Sequence, residues 1–253
     1  DDAAETRQLV EGAGRKAVLV PGDIQDPAHC RRIVEQAVAG LGGIDILVNN
    51  AAHQASFQNI EDISDAEWDL TFRVNIHAMF YLTKAAVPHM QPGSAIINTA
   101  SMAGMLNAPT MGVYNVSKHA VVSLTETLYQ DLKLVSDQVT ASVLCPYFIA
   151  TGIAQSHRNR PAELKNDEGP TLSQLVAQAQ TSKAVTSGKV TAAMMAEMVF
   201  DAVDNGRFYI FSHPHALGNV ATRMSDITAV RNPTDPFAER PEISAALKAK
   251  LRG

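Results

Sequence analysis

The chain has 253 residues, of which 46% are hydrophobic, so it is long and apolar enough to bury one sizeable α/β core. Charged residues make up 19% and the formal net charge is −5, which excludes the broad basic surface that nucleic-acid binding requires. No apolar run approaches the roughly 18–20 residues of a membrane span, and the acidic start Asp1–Glu5 is unlike a secretory signal. Cys30 and Cys145 lack metal-type spacing. We therefore expect a cytoplasmic protein without a metal site.

Predicted strands and helices alternate along the chain. Apolar runs bounded by turn residues predict strands at Ala17–Val20, Ile44–Val48, from Ile96, Val139–Cys145 and Phe208–Phe211. Helical periodicity predicts helices over about 3–14, 27–41, 65–89, 114–134, 192–204 and 217–230. Asp26 and Pro27 are typical of a helix start, and Gly42-Gly43 of its end.

This alternation is typical of a parallel sheet covered by helices on both faces. The predicted fold is therefore α/β, a Rossmann-like doubly wound parallel sheet, in a single domain spanning 1–253. Four polar residues stand just past predicted strand ends, namely Asp23, Asn50, Ser101 and Thr151. Each alone is commonly a turn former. Together they favour a site, because open α/β sheets bind ligands at the carboxyl ends of their strands.

The segment from Ile96 to Lys118 combines three side chains that can move a proton. Tyr114 and Lys118 are four residues apart on a predicted helix and share one face, while Ser101 ends the preceding strand. A free phenol has a pKa of about 10, and an ammonium about 4 Å away supplies about 4 kcal/mol at an effective dielectric of about 20. Lysine can therefore make tyrosine a usable acid/base. On spacing alone, an ordinary helix-surface pair is the commoner explanation.

Four motifs change that balance: Asn49-Asn50-Ala51-Ala52, Val74-Asn75-Ile76, Ser101, and Tyr114-Asn115-Val116-Ser117-Lys118. In order and spacing the sequence resembles the short-chain dehydrogenase/reductase family over essentially the whole chain. The resemblance implies that Tyr114 donates or accepts the proton, and that Lys118 lowers its pKa and holds the nicotinamide ribose. Ser101 would orient the substrate carbonyl. Asn75 would bind a water that links Lys118 to solvent, or else would only bond helix backbone.

The resemblance also implies a nicotinamide cofactor, NAD or NADP, bound at the carboxyl edge of the sheet. Asp23 and Ile24 would contact its adenine, and Asn50 and Ala51 its adenosine ribose. Ile149 and Thr151 would contact the carboxamide, beside Tyr114 and Lys118. Asp23 could alternatively be only a turn residue. The choice between the two cofactors has no visible signal in this sequence.

Two features depart from the family pattern. The Pro-Gly that follows the fourth strand is here Pro146-Tyr147, which places a large ring near the nicotinamide face. No strand is followed by a glycine-rich turn, since Gly12-x-Gly14 precedes a strand and lacks a third glycine. We therefore expect an N-terminally truncated member. Either an upstream strand pair is missing, or Ala17–Val20 closes directly onto Ile44–Val48.

The leading prediction is an oxidoreductase that interconverts a small carbonyl compound and a secondary alcohol by hydride transfer. Its substrate pocket would be formed by Ala103–Met111, Tyr147 and the polar segment 152–190. The alternative is a non-catalytic remnant that acts as an oligomerising or binding module. In the family, the helices corresponding to 65–89 and 114–134 usually pack between subunits. The resemblance therefore implies a homo-oligomer, either a dimer or a tetramer.

Overall fold

The sheet contains four parallel strands, which neighbour one another in chain order. The structure, a computed structural model, describes residues 2–54, 60–135, 138–151, 175, 185, 188–238 and 241–252. The strands are β1 (Ile44–Asn49), β2 (Met90–Thr99), β3 (Thr140–Cys145) and β4 (Tyr209–Phe211). Asn49 pairs with Asn98, Thr99 with Leu144, and Cys145 with Phe211, so the carboxyl ends of all four strands share one edge.

Helices connect and cover these strands. The described helices are α1 (Asp2–Gly12), α2 (Pro27–Leu41), α3 (Asp65–Phe72), α4 (Ala78–Ala86), α5 (Gly112–Val135), α6 (Ala192–Asp204), α7 (Leu217–Thr228) and α8 (Pro241–Arg252). Local chemistry sets the limits of α2 as the sequence predicts. The Asp26 side chain accepts hydrogen bonds from the Ala28 and His29 amides, and Gly42 ends the helix at a φ of +95°.

Apolar side chains fill the space on both faces of the sheet. One buried cluster packs α5 against it and includes Met79, Met102, Val121, Val143 and Cys145. A second cluster packs α6 against the opposite face and includes Ile97, Leu144, Ile149, Met195 and Ile210. Adjacent β3 residues Val143 and Leu144 belong to different clusters because successive side chains of a strand point to opposite faces. The predicted doubly wound parallel sheet is confirmed.

The predicted strand at Ala17–Val20 is wrong. Residues 15–20 are without regular secondary structure and pair with no described strand. Val18 instead packs against Gly40 of α2, where an added Cβ would lie 2.7 Å from the Val18 Cγ2. Direct closure of Ala17–Val20 onto β1 is therefore also wrong. An apolar, β-branched run favours a strand only where a neighbouring ladder satisfies its backbone.

The predicted helix over 65–89 is interrupted. A π-helical turn, Arg73–His77, separates α3 from α4, and a short 3₁₀ turn, Val87–His89, leads into β2. Hydrophobic periodicity does not predict this interruption, because a wider turn leaves the apolar faces of the flanking helices aligned closely enough to pack. Wider turns of this kind are frequent at functional sites.

Part of the sequence-based prediction falls on residues outside the described ranges. The substrate segment 152–190 lies there almost entirely, as does the helix-like patch near 172–180. The single-domain assignment to 1–253 stays a prediction. In the described part of the chain, every helix is too short or too polar to cross a membrane.

Candidate active site

Ser101 lies at the carboxyl edge of the sheet, where β2 and β3 are joined by hydrogen bonds. The Met102 amide donates to the Pro146 carbonyl oxygen at 2.8 Å. The Ser101 Oγ accepts a hydrogen bond from the Ala103 amide at 3.1 Å and makes a long contact, 3.5 Å, with the same Pro146 oxygen. The half-buried serine hydroxyl is thus placed at the strand end that the sequence predicts.

Helix α5 brings Lys118 to the end of β2. The lysine is 2% exposed, and its Nζ donates a hydrogen bond to the Thr99 carbonyl oxygen at 2.9 Å. The same ammonium lies 5.7 Å from the centroid of the Tyr114 ring, one turn earlier on α5. The structure therefore brings together the three residues that carry the proposed proton chemistry, Ser101, Tyr114 and Lys118.

Burial dominates the ionisation of the two α5 groups. It lowers the pKa of Lys118 to about 8, while the nearby Cys145 side chain acts in the opposite direction. Burial raises the pKa of Tyr114, and a hydrogen bond with the Ser101 side chain offsets part of that rise. The expectation that Lys118 brings the phenol pKa below its usual value is wrong for this arrangement. Burial acts most strongly on the phenol, and the Lys118 ammonium lies 5.7 Å from the ring centroid and is bound to the Thr99 carbonyl.

Asn75 lies in the π-helical turn and is 1% exposed. Its Oδ1 accepts a hydrogen bond from the His53 amide at 2.7 Å, and its Nδ2 donates to the His53 carbonyl and to the Ser117 Oγ, both at 3.0 Å. The side chain therefore ties the loop after β1 to α5, one residue before Lys118. Of the two roles predicted for Asn75, hydrogen bonding to the main chain is present, but its partner is the loop at His53 and not a helix. The water link stays a prediction.

Sequence reasoning missed three supporting residues. Ser117 donates its hydroxyl proton to the Tyr114 carbonyl at 2.9 Å, and Asn98 is fully buried and accepts a hydrogen bond from Asn49 at 2.8 Å. A polar residue directly after Ile-Ile in an apolar strand could have drawn attention to Asn98. Thr99 acts through its main-chain carbonyl, which any residue type supplies, so the sequence contains no signal for it.

Comparison with known proteins identifies the family. The family model described as short chain dehydrogenase matches residues 1–162. This chain belongs to that family. The expected family resemblance is thereby confirmed, because the match covers more than half of the residues and the fold agrees with it.

Several curated proteins and solved structures are similar to this chain over long stretches. General stress protein 39 of Bacillus subtilis (strain 168) is 40% identical over 146 residues, 58% of this chain and 50% of that protein. The CLA biosynthesis dehydrogenase/reductase of Lactiplantibacillus plantarum is 31% identical over 216 residues, 83% of this chain and 75% of that protein. A short chain dehydrogenase/reductase from Burkholderia phymatum, solved in complex with NAD, is 40% identical with a TM-score of 0.88, covering 93% of this chain and 85% of that one. The chain spans about half the length of several curated relatives that it matches.

In this chain, the residues predicted to meet the ribose and carboxamide differ in accessibility. Asn50 and Ala51 follow β1 and are exposed, as is Thr151. Ile149 is 8% exposed because its side chain packs in the core beside Leu144. Only the main-chain groups of Ile149 can therefore contact a cofactor, because its side chain is packed in the core.

Asp23 is engaged in a local turn. Its Oδ1 accepts a hydrogen bond from the Gln25 amide at 2.9 Å, and its Oδ2 accepts one from the Gln25 Nε2 at 3.1 Å. The Ile24 carbonyl accepts a hydrogen bond from the Cys30 thiol at 3.1 Å. The prediction that Asp23 follows a strand end is wrong, because residues 15–20 form no strand. The proposed adenine contact of Asp23 and Ile24 stays a prediction.

The donor groups around β2 fit the nicotinamide-ribose half of a dinucleotide. Lys118 has three N–H donors and uses one of them on the Thr99 carbonyl, so two are available for ribose hydroxyls. The buried Thr99 hydroxyl has no hydrogen-bond partner among the described residues. In the same part of the chain, no strand runs through a glycine-rich turn into a helix, so the fit is limited to the nicotinamide half.

Proposed function

We propose that this chain carries the catalytic site of an NAD- or NADP-dependent oxidoreductase that interconverts a small carbonyl compound and a secondary alcohol. The observation that carries the proposal is the hydrogen bond from Lys118 to the Thr99 carbonyl, which holds α5 at the strand end beside Ser101. Tyr114 and Lys118 then face the carboxyl edge where α/β sheets bind ligands. A bound nicotinamide would supply or receive the hydride. Relatives named as oxidoreductases support this assignment.

The raised pKa of Tyr114 favours one direction of proton transfer. A phenol with a pKa above its usual value of about 10 is protonated at neutral pH. Tyr114 is therefore suited to donate its proton to an oxygen that becomes an alkoxide as a carbonyl is reduced. The Ser101 hydroxyl can donate a hydrogen bond to the same oxygen and orient it. Tyr114 is therefore in the protonation state that carbonyl reduction requires of it at neutral pH.

Cofactor binding tests this proposal directly. Fluorescence titration of the whole chain with NADH and with NADPH should show saturable binding of at least one of them. Lys118→Met should weaken that binding by about tenfold, the value of one hydrogen bond to a charged group. Lys133→Met, on the exposed last turn of the same helix, should change it by less than about twofold. If neither nucleotide binds, the oxidoreductase proposal fails and the non-catalytic binding module becomes the better account.

We further propose that the chain forms a homo-oligomer, a dimer or a tetramer, through the groove between α4 and α5. A cavity of about 330 Å³ lies there, with apolar walls that include Phe80 and Leu128 and charged residues Lys84 and Asp131. Phe80 is 46% exposed, so its apolar ring extends from the cavity wall to the surface. In a two-fold interface, Lys84 of one copy can pair with Asp131 of the other.

Sedimentation velocity tests the interface. Phe80→Asp should reduce the oligomer to a smaller species, because it places a carboxylate in the apolar centre of the contact. Leu9→Asp is the matched control, since Leu9 lies on α1 with 69% of its surface exposed. An unchanged sedimentation coefficient for Phe80→Asp would show that subunits meet elsewhere.

A further inference from the structure

A second polar cluster lies at the end of β4 and is joined to the candidate active site by one peptide group. The carbonyl of Pro146 contacts Ser101, and the amide of Tyr147 donates to the Ser212 Oγ at 2.9 Å. The carbonyl and amide of a trans peptide point in opposite directions, so Ser212 lies across β3 from Ser101. Ser212 is 3% exposed.

Ser212 fixes the tautomer of the neighbouring His213. The Ser212 Oγ lies 2.7 Å from His213 Nδ1. The hydroxyl already accepts a hydrogen bond from the Tyr147 amide, and it can donate its own single proton in a hydrogen bond to Nδ1. The opposite arrangement, with Nδ1–H donating, would leave the buried hydroxyl proton without an acceptor among the described residues, which is unfavourable. Neutral His213 therefore carries its proton on Nε2.

The Nε2–H group of His213 is available to a ligand. His213 is half-buried, and its main-chain carbonyl accepts a hydrogen bond from the Ala216 amide at 3.0 Å. Among the described residues, its ring bonds only to Ser212 through Nδ1, which leaves Nε2 without a described partner. Partial burial and the neighbouring His215 lower the pKa of His213, which keeps the ring neutral near pH 7. The cluster thus presents a neutral hydrogen-bond donor.

An aromatic surface accompanies this donor. Tyr147 is 41% exposed, and its ring meets the His213 ring edge-on at a centroid distance of 5.9 Å. The centroid of the Phe148 ring lies 4.3 Å from that of the Tyr147 ring. The His213 and His215 rings are 5.5 Å apart, and in the described residues no third side chain joins them as a metal ligand. Exposed, mutually supported rings of this kind can cover a planar ligand.

We propose that His213 is a specificity-determining residue of the substrate site, donating its Nε2–H to an oxygen acceptor that the substrate carries away from its reacting carbonyl. Tyr147 covers a planar part of the same molecule. The substrate class is therefore an aromatic carbonyl compound with a second oxygen acceptor, such as a carboxylate. This inference rests on the proposed reductase function, because the cluster is tied to Ser101 through the Pro146–Tyr147 peptide.

Kinetics with two matched ketones test this role. The ketone para-acetylbenzoate carries the second acceptor, whereas para-ethylacetophenone keeps the ring and the ketone without it. Wild type should prefer the first by kcat/KM, and His213→Phe should lower that preference about tenfold while retaining the aromatic contact, since one hydrogen bond is worth about this factor. His89→Phe, an exposed histidine in the turn before β2, is the control and should leave the preference unchanged. An equal loss for both ketones, or no loss, would overturn the assignment.

A binding measurement separates this inference from the proposed function. Nitrogen-15 NMR of the imidazole groups should show His213 as the Nε2–H tautomer, and its Nε2 resonance should shift when para-acetylbenzoate is added but not when para-ethylacetophenone is. Ser212→Ala should abolish the fixed tautomer. A shift without ketone reduction would support the His213 assignment while contradicting the reductase. Reduction without a shift would support the reductase and overturn the role of His213.

Discussion

The Lys118 ammonium donates a hydrogen bond to the Thr99 carbonyl oxygen at 2.9 Å, in a site where the lysine is 2% exposed. This bond joins the helix that carries Tyr114 to the strand that ends at Ser101. Burying the charge is costly, as the lowered pKa of Lys118 shows. A position that is unfavourable for the folded state and also faces a ligand-binding edge is typical of a functional residue.

Lys118 should make stability depend on pH in a defined window. Its pKa is about 8 in the folded chain against an ordinary value of 10.5 in the unfolded chain. The unfolded chain therefore binds more protons between these values, and the free energy of unfolding should rise with pH across them. The rise is at most about 3 kcal/mol at about 1.4 kcal/mol per pH unit.

Urea unfolding of wild type and Lys118→Met, at about pH 7 and about pH 10, measures this contribution. The difference in free energy of unfolding between the two proteins should move in favour of wild type at the higher pH. Groups remote from Lys118 titrate equally in both proteins and cancel in this difference. A difference that is the same at both pH values would contradict the burial of the charge.

Asn75 should be a strong contributor to stability. Asn75→Ala removes hydrogen bonds to the His53 amide, the His53 carbonyl and the Ser117 hydroxyl in a buried place. We expect a loss of about 2–4 kcal/mol in the free energy of unfolding, because the partners stay buried without replacements. Asn219→Ala on the exposed side of α7 should change it by less than about 0.5 kcal/mol. Equal midpoints in urea for the two variants would show that the amide of Asn75 is dispensable.

Val230 is held in an unfavourable backbone conformation at the end of α7. Its φ is +54°, it is 92% exposed, and the Arg231 amide closes the turn on the Asp226 carbonyl at 2.8 Å. A β-branched residue is strained at positive φ, whereas glycine is not. Val230→Gly should therefore raise the free energy of unfolding by about 1 kcal/mol. The control Ile227→Gly, inside the same helix, should lower the free energy of unfolding by a similar amount. A lower free energy of unfolding for Val230→Gly as well would contradict the strain at Val230.

Features of the fold that depend on neighbouring residues were predicted from the sequence, whereas features that depend on distant segments were not. Asp26 and Gly42 mark the limits of α2 correctly because capping depends on neighbouring residues. The run Ala17–Val20 has the apolar pattern of a strand but forms none, because strand formation also depends on a neighbouring strand that can pair with it. Asp23 was placed on the sheet edge through the same error, whereas Ser101 was placed correctly.

The chemistry of the site shows the same division. The spacing of Tyr114 and Lys118 correctly predicts their common face, and α5 delivers both to β2. The direction of the Tyr114 pKa was wrong because it depends on burial, which comes from the packing of distant segments. Ser212 and His213 had no sequence signal that connects them with Ser101, since their link to it passes through the Pro146–Tyr147 peptide just after β3.

The central claim is that Tyr114 transfers the proton. Tyr114→Phe removes one hydroxyl and keeps the ring, so ketone reduction should fall at least about 100-fold, within the usual range for losing a positioned general acid. NADH or NADPH affinity, measured by fluorescence in the same preparation, should change by less than about twofold. Tyr129→Phe, later on α5 and packed edge-on to Phe208, should retain near wild-type turnover. Undiminished reduction of para-acetylbenzoate by Tyr114→Phe would contradict the account.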